Sequence, residues 1–234
     1  MAKLPMLTLC LLMTAGYLIG AIPFGYLTAR WVRGIDIRQH GSGNIGATNV
    51  GRVLGWKWFP PVLALDLAKG LAPVGWLAYG HAPTTLPSLS AADVAALVGL
   101  AVILGHLFPI YLGLRGGKGV ATGAGVVALL APWPAAIALG AWLVTFLPLR
   151  YVSLASIVAS VALVLAHLIQ TGGAAFDPEQ RAATLICLAA CLLVVVRHRS
   201  NIQRLLAGTE PRVGGRKSNP PTNNGDPEGS PSRG

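Results

Sequence analysis

Lys118 stands among three glycines, Gly116, Gly117 and Gly119, after one apolar run and before another. Glycine lets backbone amides approach a ligand closely, and a helix start adds N–H groups without intrahelical acceptors. An ammonium in that setting suits an oxygen-rich anion. The stretch is not a nucleotide-binding P-loop. Leu112 stands where that motif needs its first glycine, and Gly119 where serine or threonine should follow the lysine.

Two further polar stretches interrupt the apolar sequence. Gly41-Ser42-Gly43-Asn44-Ile45-Gly46-Ala47-Thr48-Asn49-Val50-Gly51-Arg52 combines neutral hydrogen-bonding groups with a permanently charged, bidentate guanidinium. Helix capping by Thr48 or Asn49 would explain one or two of these residues, not the dozen. In Arg197-His198-Arg199-Ser200-Asn201, His198 and Asn201 are three apart and share a helix face, while Arg197, Asn201 and Arg204 follow helical spacing. Arginines alone would serve as a basic stop to a membrane helix. His198 and Asn201 are not needed for that.

The other ionisable residues have plainer readings. Asp66 and Lys69 lie inside an apolar run and neutralise one another at i,i+3. Asp93 caps a helix, His81 and His167 are bystanders, and Glu210 pairs with a nearby arginine rather than acting as a base. His106, in Gly105-His106-Leu107-Phe108-Pro109, either orients the following glycine loop or touches ligand. No cluster has metal-ligand spacing and no nucleophile is set beside a base, so neither metal nor cofactor is expected. The chemistry expected is phosphate binding.

The elements that must bring these stretches together are membrane helices. Of 234 residues, 53% are hydrophobic and 11% charged, against about 25% charged in soluble domains. The apolar runs do not alternate as a membrane β-barrel would, so an all-α integral membrane bundle is expected. Seven spans are read, at residues 4–29, 53–79, 89–112, 118–131, 135–149, 152–169 and 181–196. The fourth and fifth, hinged at Pro132-Trp133-Pro134, are either short tilted spans or a re-entrant pair. Lys3 and the first run resemble a signal peptide, but the run is long and lacks a cleavage motif, so it is read as a retained helix.

Arg30, Arg33, Arg38, Arg52, Arg115, Lys118, Arg150, Arg197, Arg199 and Arg204 then fall on one side, with Lys3, Asp177, Glu179 and Arg181 on the other. The positive-inside rule puts the first side, with all three polar stretches, in the cytoplasm and the N-terminus outside. The net charge of +10 is explained by that distribution and not by nucleic acid. Gly16-x3-Gly20 and Gly119-x3-Gly123 are spacings for close helix packing. Cys10, Cys187 and Cys191 read as packing residues. Residues 1–210 form the membrane domain and 211–234 a disordered cytoplasmic tail.

The three stretches, with Asp66-Leu67-Ala68-Lys69-Gly70, resemble in order and spacing the motifs of the bacterial acyl-phosphate:glycerol-3-phosphate acyltransferase family, over about residues 5–210. The resemblance implies a seven-helix enzyme of the bacterial inner membrane. It would transfer an acyl group from acyl phosphate to the 1-hydroxyl of sn-glycerol 3-phosphate, giving 1-acylglycerol 3-phosphate (lysophosphatidic acid) and phosphate. The His-x4-Asp pattern of the acyl-CoA-dependent glycerolipid acyltransferases is absent: Ile45, Leu86, Tyr111, Gly172 and Gln203 stand five residues after the histidines.

Because both substrates are anions, Arg52, Lys118 and His198 are expected to supply cationic or donor groups. Ser42 and Asn201 would position substrate oxygens. Gly43, Asn44, Thr48, Asn49, Gly116, Gly117, Gly119 and Arg204 would complete the binding surface. The alternative is a secondary transporter of a phosphorylated solute, disfavoured because such sites lie near the bilayer midplane. A non-catalytic scaffold leaves the glycine loops without a purpose.

Overall fold

Proline and glycine decide where the apolar helices of this chain bend. The computed structural model describes residues 3–81 and 89–214; the neutral loop at 82–88 and the tail from 215 lie outside the described residues. Helices α1 (Lys3–Ala21) and α2 (Phe24–Arg33) form one apolar stretch, Met6–Arg33, broken at Ile22-Pro23. Proline has no N–H for the helical ladder and clashes with the preceding turn. Gly34, with φ of 68°, closes α2 by donating its N–H to the Arg30 carbonyl.

The glycine-rich stretch does not run directly into the second span, as the sequence suggested. A separate amphipathic helix, α3 (Ala47–Leu54), intervenes. It buries Val50 and Leu54 against Ala29, Ile37, Ile45 and Val62. Gly55, at φ 106°, then turns the chain into α4 (Phe59–Trp76), which starts on Pro60 and Pro61. Thr48 and Asn49 therefore sit within α3 and cap nothing.

Helix α5 (Ala91–Leu107) is the most deeply buried of the candidate spans and packs against α1, α4 and α9. Ser90 is its N-cap and Asp93 completes the capping box. Arg181, at the start of α9 (Arg181–Arg197), reaches back to Asp93 at 2.9 Å. Close crossings rest on glycines that leave no room for a side chain. A Cβ at Gly20 would lie 2.0 Å from the Val102 carbonyl oxygen, joining α1 to α5. One at Gly70 would lie 2.2 Å from the carbonyl oxygen of Thr122, in α6 (Val120–Leu130). Gly123 makes no such crossing: its Cβ would meet only Ile103 Cδ1 at 3.9 Å, so the Gly119-x3-Gly123 spacing is not a packing motif here.

Helix α7 (Pro132–Leu149) follows α6 after one residue, half-buries one face (Ala135, Ala138, Trp142, Phe146) mainly against α8 (Val152–Thr171), and exposes the other. Helix α10 (Arg199–Leu206) leaves α9 at a 57° bend. Among the described residues all regular structure is helical. Five helices are long and apolar enough to cross a membrane, six if the bent α9–α10 pair is one span. The difference from the expected seven is α6, which has 11 residues. The three cysteines are free.

Candidate active site

The first polar stretch is built around the carboxamide of Asn49. Its Oδ1 accepts from the Ser42 amide at 2.8 Å, while Nδ2 donates to the carbonyls of His40 (3.0 Å) and Asn44 (2.8 Å). Asn44 Oδ1 accepts from the Gly46 amide. Both asparagines thus serve the loop itself; the Asn49 carboxamide is engaged at both ends and buried, while half-buried Asn44 is engaged through Oδ1. The loop presents exposed Ser42 and Gly43. Gly43 has φ of 70°. Half-buried Thr48 follows on the first turn of α3, and Arg52 projects from its last turn.

The second stretch is clamped from both sides. The Gly116 and Gly117 amides donate to the Leu107 and His106 carbonyls, at 3.2 and 3.0 Å. Arg197 donates from Nε and Nη2 to the Gly116 and Gly117 carbonyls at 3.0–3.1 Å, with its guanidinium over the Phe108 ring. The two glycine amides expected to cradle an anion are therefore already engaged. The free donors move on to Lys118 and the start of α6, where Gly119 (φ 77°) is the N-cap. Sequence reasoning missed Arg197 as the loop's clamp because its acceptors lie some 80 residues away.

His106 supports this loop from below. Its ring is buried, and a Cβ at Gly117 would fall 2.1 Å from Nε2. Nδ1 lies 3.6 Å from Asp66 Oδ1, which pairs with Lys69 Nζ at 2.9 Å. Lys69 also donates to the Ile22 carbonyl at the α1–α2 break. The expected Asp66–Lys69 pair exists, and the His106 ring packs directly beneath Gly117 of the loop.

The third stretch turns at His198, so Arg197 and Asn201 lie on different helices rather than on one face as the spacing suggested. His198 Nδ1 contacts the Val194 carbonyl at 2.8 Å. A carbonyl only accepts, so Nδ1 carries the hydrogen and Nε2 is the acceptor of the neutral ring. Asn201 receives Lys118 Nζ at Oδ1 (2.5 Å) and donates Nδ2 to Glu210 Oε1 (2.7 Å). Glu210 also accepts from Ser153 Oγ (2.6 Å) and Arg204 Nε (2.7 Å). The expected pairing of Glu210 with an arginine is present; Ser153, at the start of α8, had no signal in the sequence.

Electrostatics follow the geometry. Burial pulls Lys118 down to about 8, with the Glu210 carboxylate opposing and Arg204, Arg52 and Arg197 assisting. Burial also works against the Glu210 carboxylate, but hydrogen bonds from Ser153, Asn201 and Arg204 outweigh it and hold the group below its usual range. Lys118, Arg204 and Arg52 form one cationic cluster around one carboxylate, with the neutral Asn201 amide bridging Lys118 to Glu210. Among the described residues, the first stretch joins that cluster through Arg52, and Arg38 links its approach to the Leu112 carbonyl before the second stretch. No group of three metal-ligating side chains occurs among the described residues.

Behind Lys118 an open-sided apolar groove of about 80 Å³ runs along the bundle, lined by Gly119, Gly123, Val127, Ala138, Leu163 and Ala190 among others. An integral membrane protein in which a cationic cluster opens onto an apolar groove belongs to the class that handles a soluble anion and a lipid chain together. The family model for glycerol-3-phosphate acyltransferase matches residues 10–208, and the chain belongs to that family. A glycerol-3-phosphate acyltransferase of Synechococcus sp. (strain CC9902) is 43% identical over 211 residues, covering 89% of this chain and 97% of that protein. One of Anaeromyxobacter dehalogenans is 44% identical over 205 residues, covering 87% and 96%. The crystal structure of the integral membrane glycerol 3-phosphate acyltransferase PlsY (YgiH) in its glycerol 3-phosphate form superposes with a TM-score of 0.77 at 39% identity, covering 88% of this chain and 96% of that one. Its lysophosphatidic acid form gives 0.74 at 38%, covering 88% and 95%. The protein is an acyltransferase, and the transporter alternative falls away.

Proposed function

We propose that the protein transfers an acyl group from acyl phosphate to the 1-hydroxyl of sn-glycerol 3-phosphate at the cytoplasmic face of the bacterial inner membrane. The observation that carries this reading is the junction at Lys118: a cationic cluster on one side, an apolar groove on the other. The relatives' names and the two ligand forms of PlsY support the acceptor and the product. In the reaction the 1-oxygen bonds to the acyl carbon, the bond from that carbon to the phosphate oxygen breaks, and the hydroxyl proton leaves on the departing phosphate. No side chain of the cluster stands as a free carboxylate base, since Glu210 is fully bonded.

Arg52 and Lys118 would hold the two phosphates against their mutual repulsion, with Arg204 adding charge beside Glu210. Asn201, its amide fixed at both ends, would aim Lys118. The Nε2 of His198 would accept from the acceptor's other, 2-hydroxyl, and Ser42 and Thr48 would contact its oxygens, with Gly43 giving room. Amides at Gly119 and the start of α6 would face the developing oxyanion. Gly116 and Gly117 shape the loop and bind nothing directly.

The acyl chain would lie in the groove behind Gly119. Counting α6 as a short crossing gives seven spans with the N-terminus outside, in keeping with the basic residues gathered on one side. Purified protein in detergent, supplied with acyl phosphate and labelled glycerol 3-phosphate, is expected to yield labelled lysolipid and one phosphate per turnover. Recovery of unaltered glycerol 3-phosphate sinks the reading.

A further inference from the structure

The chain does not leave the molecule after Glu210. Gly208 (φ 68°) turns it back, and the Thr209 amide donates to the Arg204 carbonyl at 2.8 Å. Glu210 then hooks into the cluster. The next three residues each make a separate attachment. The Pro211 carbonyl accepts from Arg52 Nη2 at 3.3 Å. Arg212 lies over the Tyr151 ring at 4.9 Å and donates Nε to its hydroxyl at 2.9 Å. The Val213 amide donates to the Arg150 carbonyl at 2.9 Å, and Arg150 itself ends α7 in the left-handed conformation. These residues lie beyond the 10–208 match to the family.

We propose that Pro211–Val213 is a strap that positions Arg52 for the anionic acceptor. Arg52 stands on an eight-residue helix, and among the described residues the Pro211 carbonyl is the hydrogen-bond partner of its guanidinium. A long side chain at the edge of a site otherwise samples many rotamers, each of which misaligns the fork. The strap ties one of five N–H donors to a neutral oxygen and leaves the remainder for phosphate. Proline fixes its own φ and so stiffens the strap at the point of contact. Anchorage at both ends, Glu210 through Asn201 and Arg204 of α10 and Arg150-Tyr151 between α7 and α8, makes the strap a fixed reference.

The inference rests on Arg52 binding glycerol 3-phosphate, and two truncations of the purified protein test it. A chain ending at Gly214 keeps the strap and is expected to match the full chain. A chain ending at Glu210 is expected to show a KM for glycerol 3-phosphate about three- to tenfold higher, the effect of one lost hydrogen bond. Its kcat and its KM for acyl phosphate should stay within about twofold of the full chain. Calorimetric binding of glycerol 3-phosphate should weaken on truncation in the native background and not in Arg52→Ala. A KM unmoved by the shorter truncation overturns the strap, as does a loss confined to kcat or to the thermal transition. A full chain that makes no lysolipid at all would instead defeat the acyl-transfer reading.

Discussion

Lys118 is the side chain on which charge, burial and position converge. Its ammonium titrates near 8 because burial outweighs the pull of Glu210. The cation that holds phosphate is therefore present below pH 8 and lost as pH rises through it. We expect kcat/KM for glycerol 3-phosphate to fall about tenfold per pH unit above that point. Lys118→Arg, which stays charged, should abolish this alkaline limb even at reduced activity. Lys118→Ala should lower kcat/KM about 100-fold or more at pH 7, the scale of a lost transition-state donor, with an unchanged thermal transition. At this scale the sequence was legible where chemistry is local: Arg52, Lys118, His198 and Asn201 stood out by type and setting, and the fold gathers them around Lys118. Ser153 and Arg197 did not, since a serine at a helix start or an arginine after a span is ordinary until its partner, 57 or 80 residues away, is known.

Elements set how much of this cluster survives a change elsewhere. Asp66, Lys69 and His106 join α4 and α5 beneath the glycine loop. Asp66→Asn leaves the Lys69 ammonium buried without its counter-ion, which costs about 3–5 kcal/mol. The expected result is a strongly lowered thermal transition in detergent. Gly123 offers the opposite kind of change: it lines the groove, and a side chain there meets its nearest neighbour only at 3.9 Å. Gly123→Leu should fold and shorten the groove, lowering the ratio of kcat/KM for a 16-carbon over a 10-carbon acyl phosphate by tenfold or more. An unchanged chain-length profile would show that the acyl group lies elsewhere. Helix α3 was hidden in the sequence because Val50, Val53 and Leu54 merge with the apolar residues that follow. The break at Gly55 is a backbone event, and periodicity alone does not mark it.

For the molecule as a whole, the arrangement of basic residues makes a sided prediction. With the N-terminus outside, a single cysteine placed at Arg150 should react with an impermeant thiol reagent only from the cytoplasm, and one at Asp177 only from the opposite side. The reverse pattern would move the site to the far face and remove its access to cytoplasmic substrates. The overall class was legible in composition because lipid admits few kinds of backbone. The number of crossings was not, because α6 replaces part of a span with a glycine loop held by side-chain clamps.

The exposed outer face of α7 bears on how turnover ends. Ala138 makes this helix one wall of the groove, yet α7 is held chiefly by α8. If a wall with hydrocarbon on its outer side yields sideways, a finished lysolipid would enter the leaflet without crossing water. The surrounding lipid then acts as the receiving phase for product, and its thickness relative to an 18-residue helix of about 27 Å becomes a kinetic variable. Turnover measured in bilayers of graded acyl length should peak where that match is best, while glycerol 3-phosphate affinity, set at the polar end, stays level.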